Sequence, residues 1–336
     1  TSKQYIEEAN KLQWACKNLK VFLCIDSTRV NDEDEYVESE LMDKELWEFI
    51  GLNADDEISG GGWRNSYDGG KFSKQEMDEY AENIFLKLKP HINSQTRILE
   101  IGCASGISMF RIAPYVGLYY GTDISSVIIE KDEKYASENG IENVKLKCLA
   151  AHEIDQLDEK NFDIIIINSV IQAFSGHNYL RKVLKKSIDL LSDKGIIFLG
   201  DIMDLEKKDE LQCSLIRYKK ENPLSNTKTD LSSELFISRG FLYDLCHEMP
   251  DIFKVEDQKK IHTIENELTK FRYDALLYID KELALKPDRV YAPKVKFQHG
   301  WDMIEKQPCT RLDLKQNNRL LAYIIYTSGT TGKPNG

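Results

Sequence analysis

Glu100, Gly102, Gly106 and Asp123 are the residues whose types and spacing can do chemistry. The run I-L-E-I-G-C-A-S-G over 98–106 reads as a short buried strand that breaks into a glycine turn and then a helix. A second strand over 118–124 carries Asp123 at its carboxyl end. Two glycines let the backbone approach a ligand closely, and an acid there accepts hydrogen bonds from a ribose diol. The spacing is G-x-x-x-G, not the G-x-G-x-x-G of dinucleotide sites, so no tight turn is built for a pyrophosphate. The ligand this suits is a nucleoside without phosphates. The other reading is a plain strand–helix turn in an unrelated α/β domain.

The elements that must position these residues alternate. Strands are predicted over 97–101, 118–123, 144–149, 162–168, 195–201, 254–262 and 271–279, with helices over 105–113, 125–139 and 178–191 and a polar helical region over 232–249. Ile164 to Ile167 are apolar without alternation, as a central parallel strand covered on both faces should be. Upstream, Leu41 to Leu52 has apolar residues at helical spacing, and Ser73 with Glu76 forms a capping box for a helix that ends before Pro90. Only eight residues separate His262 from Phe271, too few for a crossover. The last two strands therefore form a hairpin whose turn lies on the rim where the parallel strands end and ligands bind.

Composition narrows the class. The chain has 336 residues, 41% of them apolar, and a net charge of −11. The length suits two domains or one large one. The charge argues against nucleic acid as a partner, since phosphate binding needs basic density. No apolar run is long enough for a membrane span, and no secretory leader opens the chain. The seven cysteines, without C-x-x-C pairs, read as reduced cytoplasmic residues and not as a metal site.

Three further stretches carry a resemblance: W-R-N-S-Y over 63–67, N-S-V-I-Q-A-F over 168–174 and N-E-L-T-K-F-R-Y-D over 266–274. With the glycine motif, in this order, residues 41–282 resemble the methyltransferase domains embedded in nonribosomal peptide synthetases. Ala173 departs from that family, which more often has Tyr there. The segment over 321–334, ending T-S-G-T-T-G-K-P, resembles the phosphate loop of adenylation domains, with Asn335 departing from a second lysine. The strand over 19–26 is similar to the adenylation core upstream of that loop.

The resemblance implies an α/β, Rossmann-like class I methyltransferase. It has a seven-stranded mostly parallel sheet with an antiparallel last strand, an N-terminal helical lid, and stubs of a host adenylation domain at both ends. The divisions are 1–34 for the first stub, 35–95 for the lid, 96–282 for the cofactor-binding core and 283–336 for the return linker and second stub. The other adenylation motifs are missing, so no adenylation is expected of this chain. The implied cofactor is S-adenosylmethionine, leaving as S-adenosylhomocysteine. The implied partners are the host adenylation domain and a carrier protein bearing a phosphopantetheine-tethered substrate.

Site residues follow. Glu100, Gly102, Cys103 and Gly106 are expected along the methionine and ribose part, with Asp123 under the ribose hydroxyls. Ile124 covers the adenine face, while Ala151 and His152 stand at its edge or simply start a helix. Asn168 ends the central strand beside the cofactor. Trp63 and Tyr67 close over the methionine end or pack as lid residues. Gln172 and His177 are placed to touch substrate, His177 alternatively as a helix start.

The nucleophile decides the rest. An amine with a pKa near 8 needs little help, whereas an aliphatic hydroxyl needs a general base. His262, at the end of its strand beside Glu265 and Glu267, is the expected base, with Glu267 as the carboxylate that orients it; otherwise it is a surface histidine in a polar hairpin. Glu234 is a weaker candidate, alternatively a helix N-terminal carboxylate. The resemblance adds that methyltransferases inserted between these two adenylation motifs modify side chains. O-methylation of a hydroxyl on the tethered unit is therefore expected. The alternatives are N-methylation of the aminoacyl amine and a non-catalytic insertion that only binds the cofactor.

Overall fold

The computed structural model describes residues 21–24, 44–53, 57–284 and 296–299. In chain order the elements are β1 (Val21–Cys24), α1 (Lys44–Leu52), α2 (Glu57–Gly60), α3 (Lys74–Leu88), β2 (Arg97–Ile101), α4 (Met109–Ile112), β3 (Leu118–Asp123), α5 (Ser126–Glu138), β4 (Val144–Cys148), β5 (Phe162–Asn168), α6 (His177–Leu190), β6 (Leu191–Met203), α7 (Lys208–Glu221), α8 (Arg239–Glu248), β7 (Ile252–Gln258), α9 (Glu267–Lys270), β8 (Arg272–Asp280), α10 (Lys281–Ala284) and β9 (Lys296–His299).

Two compact units divide the chain, 1–37 with 293–336 and 38–292. In the smaller one, β1 pairs with β9 in parallel, Val21 opposite Lys296. The phosphate-loop-like segment over 321–334 lies outside the described residues.

The larger unit is built on one seven-stranded sheet in the order β4-β3-β2-β5-β6-β8-β7. The five strands from β4 to β6 run parallel, and β8 runs against both of its neighbours. Ile164 to Ile167 of β5 are all buried at its centre, because helices and loops cover both faces. From β2 the chain steps outward through β3 to β4, then returns to the other side with β5. The carboxyl ends of β2 and β5 therefore flank a topological switch point, the crevice where such sheets bind ligands.

Packing on one face draws on α3. Its start is the expected capping box: Ser73 N donates to Glu76 Oε2 at 2.8 Å and Glu76 N to Ser73 Oγ at 3.3 Å. Met77, Ile84 and Leu88 then fall on one stripe and join Ile98, Ile112, Ile164 and Phe198 in the main core.

Some expectations shift. β6 is longer than predicted, and β7 stops at Gln258, so His262 sits in the connection to β8 and not at the end of a strand. The helical turn after Gly106 shrinks to α4, because Pro114 closes it into a 3-10 turn. Helix α7, not foreseen, has a weak apolar stripe and buries only Leu211 and Leu215. No described helix is long and apolar enough to cross a membrane.

Candidate active site

A cavity of about 770 Å³ opens at the switch point. Its floor is the glycine turn. Gly102 has φ +76°, and a Cβ there would meet Val170 Cγ2 at 2.4 Å, so both backbone conformation and space demand glycine. Gly102 N and Cys103 N both donate to Thr122 O, at 2.7 and 2.9 Å, which fastens the turn to β3. Asp123 accepts from Ala104 N at 3.0 Å through one carboxylate oxygen and from Ser125 N at 2.9 Å through the other. Each oxygen keeps a lone pair for a ligand hydroxyl. The turn and the start of α5 are thus gathered on one buried acid.

Glu100 and Cys103 lie beneath. Tyr119 OH donates to Glu100 Oε2 at 2.8 Å in a buried pocket. Burial pushes the Glu100 carboxyl up to about 8, against the Tyr119 hydrogen bond and reinforced by the Asp123 charge. Burial also pushes the Cys103 thiol well up, so it stays a thiol and is no nucleophile.

One end of the cavity is a slot lined by Ile124, Leu149, Ala151 and His152, with Trp47 and Ile50 of α1. His152 Nδ1 is 3.1 Å from Tyr179 OH. Here α1 is clamped by Glu48, which belongs to no motif of the sequence. Its Oε1 accepts from Ser126 N and Oγ, both at 3.0 Å, and its Oε2 from Ser125 Oγ and Val127 N, both at 3.2 Å. A carboxylate on the first turn of α5 satisfies otherwise orphaned donors and suits the helix dipole. The D-I-S-S sequence after β3 was its one signal.

The other end is formed by the segment after β5. Asn168 Nδ2 donates to Tyr80 OH at 2.7 Å, and Gln172 Nε2 donates to Ser169 O and Oγ, both at 2.8 Å. Asn168 Oδ1 and Gln172 Oε1 are buried and accept nothing among the described residues. Gly200 makes room for Asn168: a Cβ there would lie 2.1 Å from Oδ1. Trp63 lines this end and packs edge-on against Tyr80, ring centroids 4.7 Å apart.

The structure brings together Glu100, Gly102, Cys103, Asp123, Ile124, Ala151, His152, Asn168, Gln172, Trp63 and Glu234 around this cavity. Gly106 shapes the turn from behind, with φ +72° and Phe110 where a Cβ would point. Four expectations are corrected. Tyr67 does not close over the cavity; its OH is 2.8 Å from Ser214 Oγ and its ring packs on Tyr218 of α7. His177 begins α6 with its ring against Phe241, away from the cavity. His262 is exposed, its Nδ1 3.1 Å from Lys260 O, and it does not line the cavity. Glu267 does not orient it, because that carboxylate accepts from Ser66 N at 2.9 Å and Ser66 Oγ at 3.0 Å. β7 ends short of His262, and the longer connection carries the ring outward. Glu234 does line the cavity, ion-paired to Lys228.

Whether these residues fit a nucleoside joined to a cationic amino-acid tail is decided by the donor set. The slot is apolar, Asp123 suits a diol, and Glu100, a buried acid in the cavity lining, can answer a cation. They fit.

The model for the family described as "Methyltransferase domain" matches residues 92–269, more than half of the chain. Among curated proteins, the chain is 31% identical over 220 residues to a probable non-canonical nonribosomal peptide synthetase, CymA, of Salinispora arenicola, covering 65% of this chain and 3% of that protein. It is 32% identical over 227 residues to the chondramide synthase cmdD of Chondromyces crocatus, covering 65% of this chain and 6% of that protein. The chain thus spans less than a tenth of the length of either relative. Among solved structures, the N-methyltransferase NodS of Bradyrhizobium japonicum in complex with S-adenosylhomocysteine aligns with a TM-score of 0.43 and 13% identity, over 62% of this chain and 88% of that one. With the match and the fitted cavity together, the chain belongs to the methyltransferase-domain family and its cofactor is S-adenosylmethionine.

Proposed function

We propose that the domain methylates the α-amine of an aminoacyl unit held as a thioester on a carrier protein, within a nonribosomal peptide synthetase. One observation carries the choice of acceptor: the expected base, His262, is exposed and outside the cavity, which favours an acceptor that needs no general base. In the cavity wall, the carboxamides Asn168 and Gln172 add buried carbonyl oxygens that accept nothing among the described residues. Such a wall takes N–H donors and cannot take a proton. A neutral primary amine has two N–H groups and one lone pair. Carbonyls that hold the N–H groups leave the lone pair free to attack.

When bound, S-adenosylmethionine supplies an electrophilic methyl group on a sulfonium. The residues of this chain do the rest by positioning. Gly102 and Asp123 fix the nucleoside, Trp63 and Tyr80 wall off solvent, and Asn168 and Gln172 orient the nucleophile. No imidazole is required, because a fraction of an ordinary α-amine is neutral at working pH. The synthetase setting is supported by the two relatives, the carrier by the resemblance of 41–282 to methyltransferase domains embedded in such synthetases, and the host adenylation domain by the resemblance of 321–334 to its phosphate loop.

Oxygen as the acceptor remains a second reading on one observation, the Glu234 carboxylate in the cavity wall, and it is what insertion between two adenylation motifs favours. The experiment is mass spectrometry of aminoacyl- and hydroxyacyl-loaded carrier protein after incubation with the domain and labelled methyl donor. Label on the aminoacyl nitrogen is expected. Label on oxygen, abolished by Glu234→Gln, overturns the amine assignment.

A further inference from the structure

The motif over 266–274 is left unused by the chemistry above, although its arginine lies in the cavity wall. Arg272 opens β8 and has a side chain only 14% exposed. Its Nη1 donates to Asp201 Oδ2, the guanidinium's one hydrogen bond among the described residues. A guanidinium carries five N–H donors in a rigid fork, so most of them have no protein acceptor. A buried charged donor left unpaired is costly, and a ligand oxygen removes that cost.

The surroundings hold this group in place. Asp201 sits in the bulge where the β6–β8 register shifts, with a left-handed φ of +59°. Its Oδ1 lies 3.2 Å from Lys260 Nζ, which also donates to Asp274 Oδ1 at 2.6 Å. Asp274 further accepts from Lys87 Nζ at 2.5 Å and Asn83 Nδ2 at 2.9 Å. Of Arg272, Asp201, Lys260, Asp274 and Lys87, only Arg272 lines the cavity. Tyr80 lines it too. Its hydroxyl accepts from Asn168 Nδ2, which leaves its own proton for another acceptor, and burial holds it protonated.

We infer that Arg272, assisted by Tyr80, binds the carbonyl oxygen adjacent to the acceptor amine, so that the site recognises an α-amino carbonyl unit. This rests on the amine reading. Carbonyl acceptors on Asn168 and Gln172 meet the N–H groups, and N–H and O–H donors on Arg272 and Tyr80 meet the C=O. Arg272 is a substrate-positioning residue by this account, not a proton carrier.

The test pairs variants with substrate analogues. Arg272→Lys keeps a cation beside Asp201 and loses the fork, and a thermal melt checks that it folds. Three amines are compared: an aminoacyl N-acetylcysteamine thioester, the free amino acid, and the thioether in which the carbonyl is a methylene. Rates with labelled methyl donor are read alongside calorimetric affinities measured with S-adenosylhomocysteine bound. Arg272→Lys should lose roughly 10- to 100-fold in kcat/KM and in affinity on the thioester, the worth of a charged hydrogen bond. The thioether should change by less than about threefold, and cofactor affinity should hold, as additivity at separate sites requires. Tyr80→Phe should show the same carbonyl dependence with a smaller loss. Equal losses on thioester and thioether, or none on either, overturn the inference, as does a loss confined to the free amino acid. If wild type labels only the hydroxyl of a hydroxyacyl thioester, the amine reading fails by itself. The same carbonyl-to-methylene comparison on that pair then judges Arg272.

Discussion

Glu100 makes the stability of this domain fall as pH rises, and the size of the effect follows from its burial. Its carboxyl is moved from an ordinary 4.5 up to about 8 in the folded protein. A folded-state value above the unfolded one means the native chain binds the extra proton. Its contribution is complete below the unfolded value and is lost as pH climbs from about 4.5 through about 8. At 1.36 kcal/mol per unit, the loss between pH 6 and pH 8.5 is about 2.5 kcal/mol.

Glu100→Gln keeps a carbonyl oxygen for the Tyr119 hydroxyl and cannot ionise. The assay is denaturant unfolding of both proteins across that range. The stability of wild type relative to Glu100→Gln should fall by about 2.5 kcal/mol from pH 6 to 8.5. A difference that stays flat with pH refutes the assignment of a neutral Glu100. The same group ties cofactor binding to protons. A cation in the cavity favours the carboxylate, so S-adenosylmethionine should release protons on binding near pH 7, seen as a heat that depends on the ionisation enthalpy of the buffer. Buffer-independent heats count against it.

Three further outcomes follow from the geometry. His262→Ala should keep methyl transfer within about twofold, as an exposed residue outside the cavity does; a loss of most turnover would restore it as a base. Gly200→Ala puts a methyl 2.1 Å from Asn168 Oδ1 and should cost at least about tenfold in kcat/KM with cofactor affinity retained, checked by kinetics and calorimetry. Glu48→Ala removes the cap that docks α1 on α5. It should weaken cofactor binding by roughly fivefold, about 1 kcal/mol of capping, and hydrogen exchange over 44–52 should accelerate; unchanged exchange would count against a docking role.

Much of the fold was legible because local pattern and burial agree. The uninterrupted isoleucines of β5 read as a strand covered on both faces, and β8 does run antiparallel as expected, although β7 ends at Gln258 and the connection to β8 is longer than the sequence suggested. Helix α7 was missed since it buries only two residues, too little for a period to show. In the site, Gly102 and Asp123 were readable because their jobs depend on their own backbone and one neighbouring strand. His262 was misplaced because a hairpin's rim position says nothing about which way a side chain in its turn points.

The sequence by itself pointed to the glycine turn and the strand-end acid that the structure gathers at the cavity, since glycine conformation and strand-end acidity are properties of short segments. Only the tertiary structure supplies the observations on which the proposed acceptor half rests. Asn168, Tyr80, Gly200 and Arg272 come from four separate elements, and what each can offer depends on which of its donors and acceptors the others have already taken. Hydrogen-bond saturation is a property of neighbours in space, and no spacing along the chain encodes it.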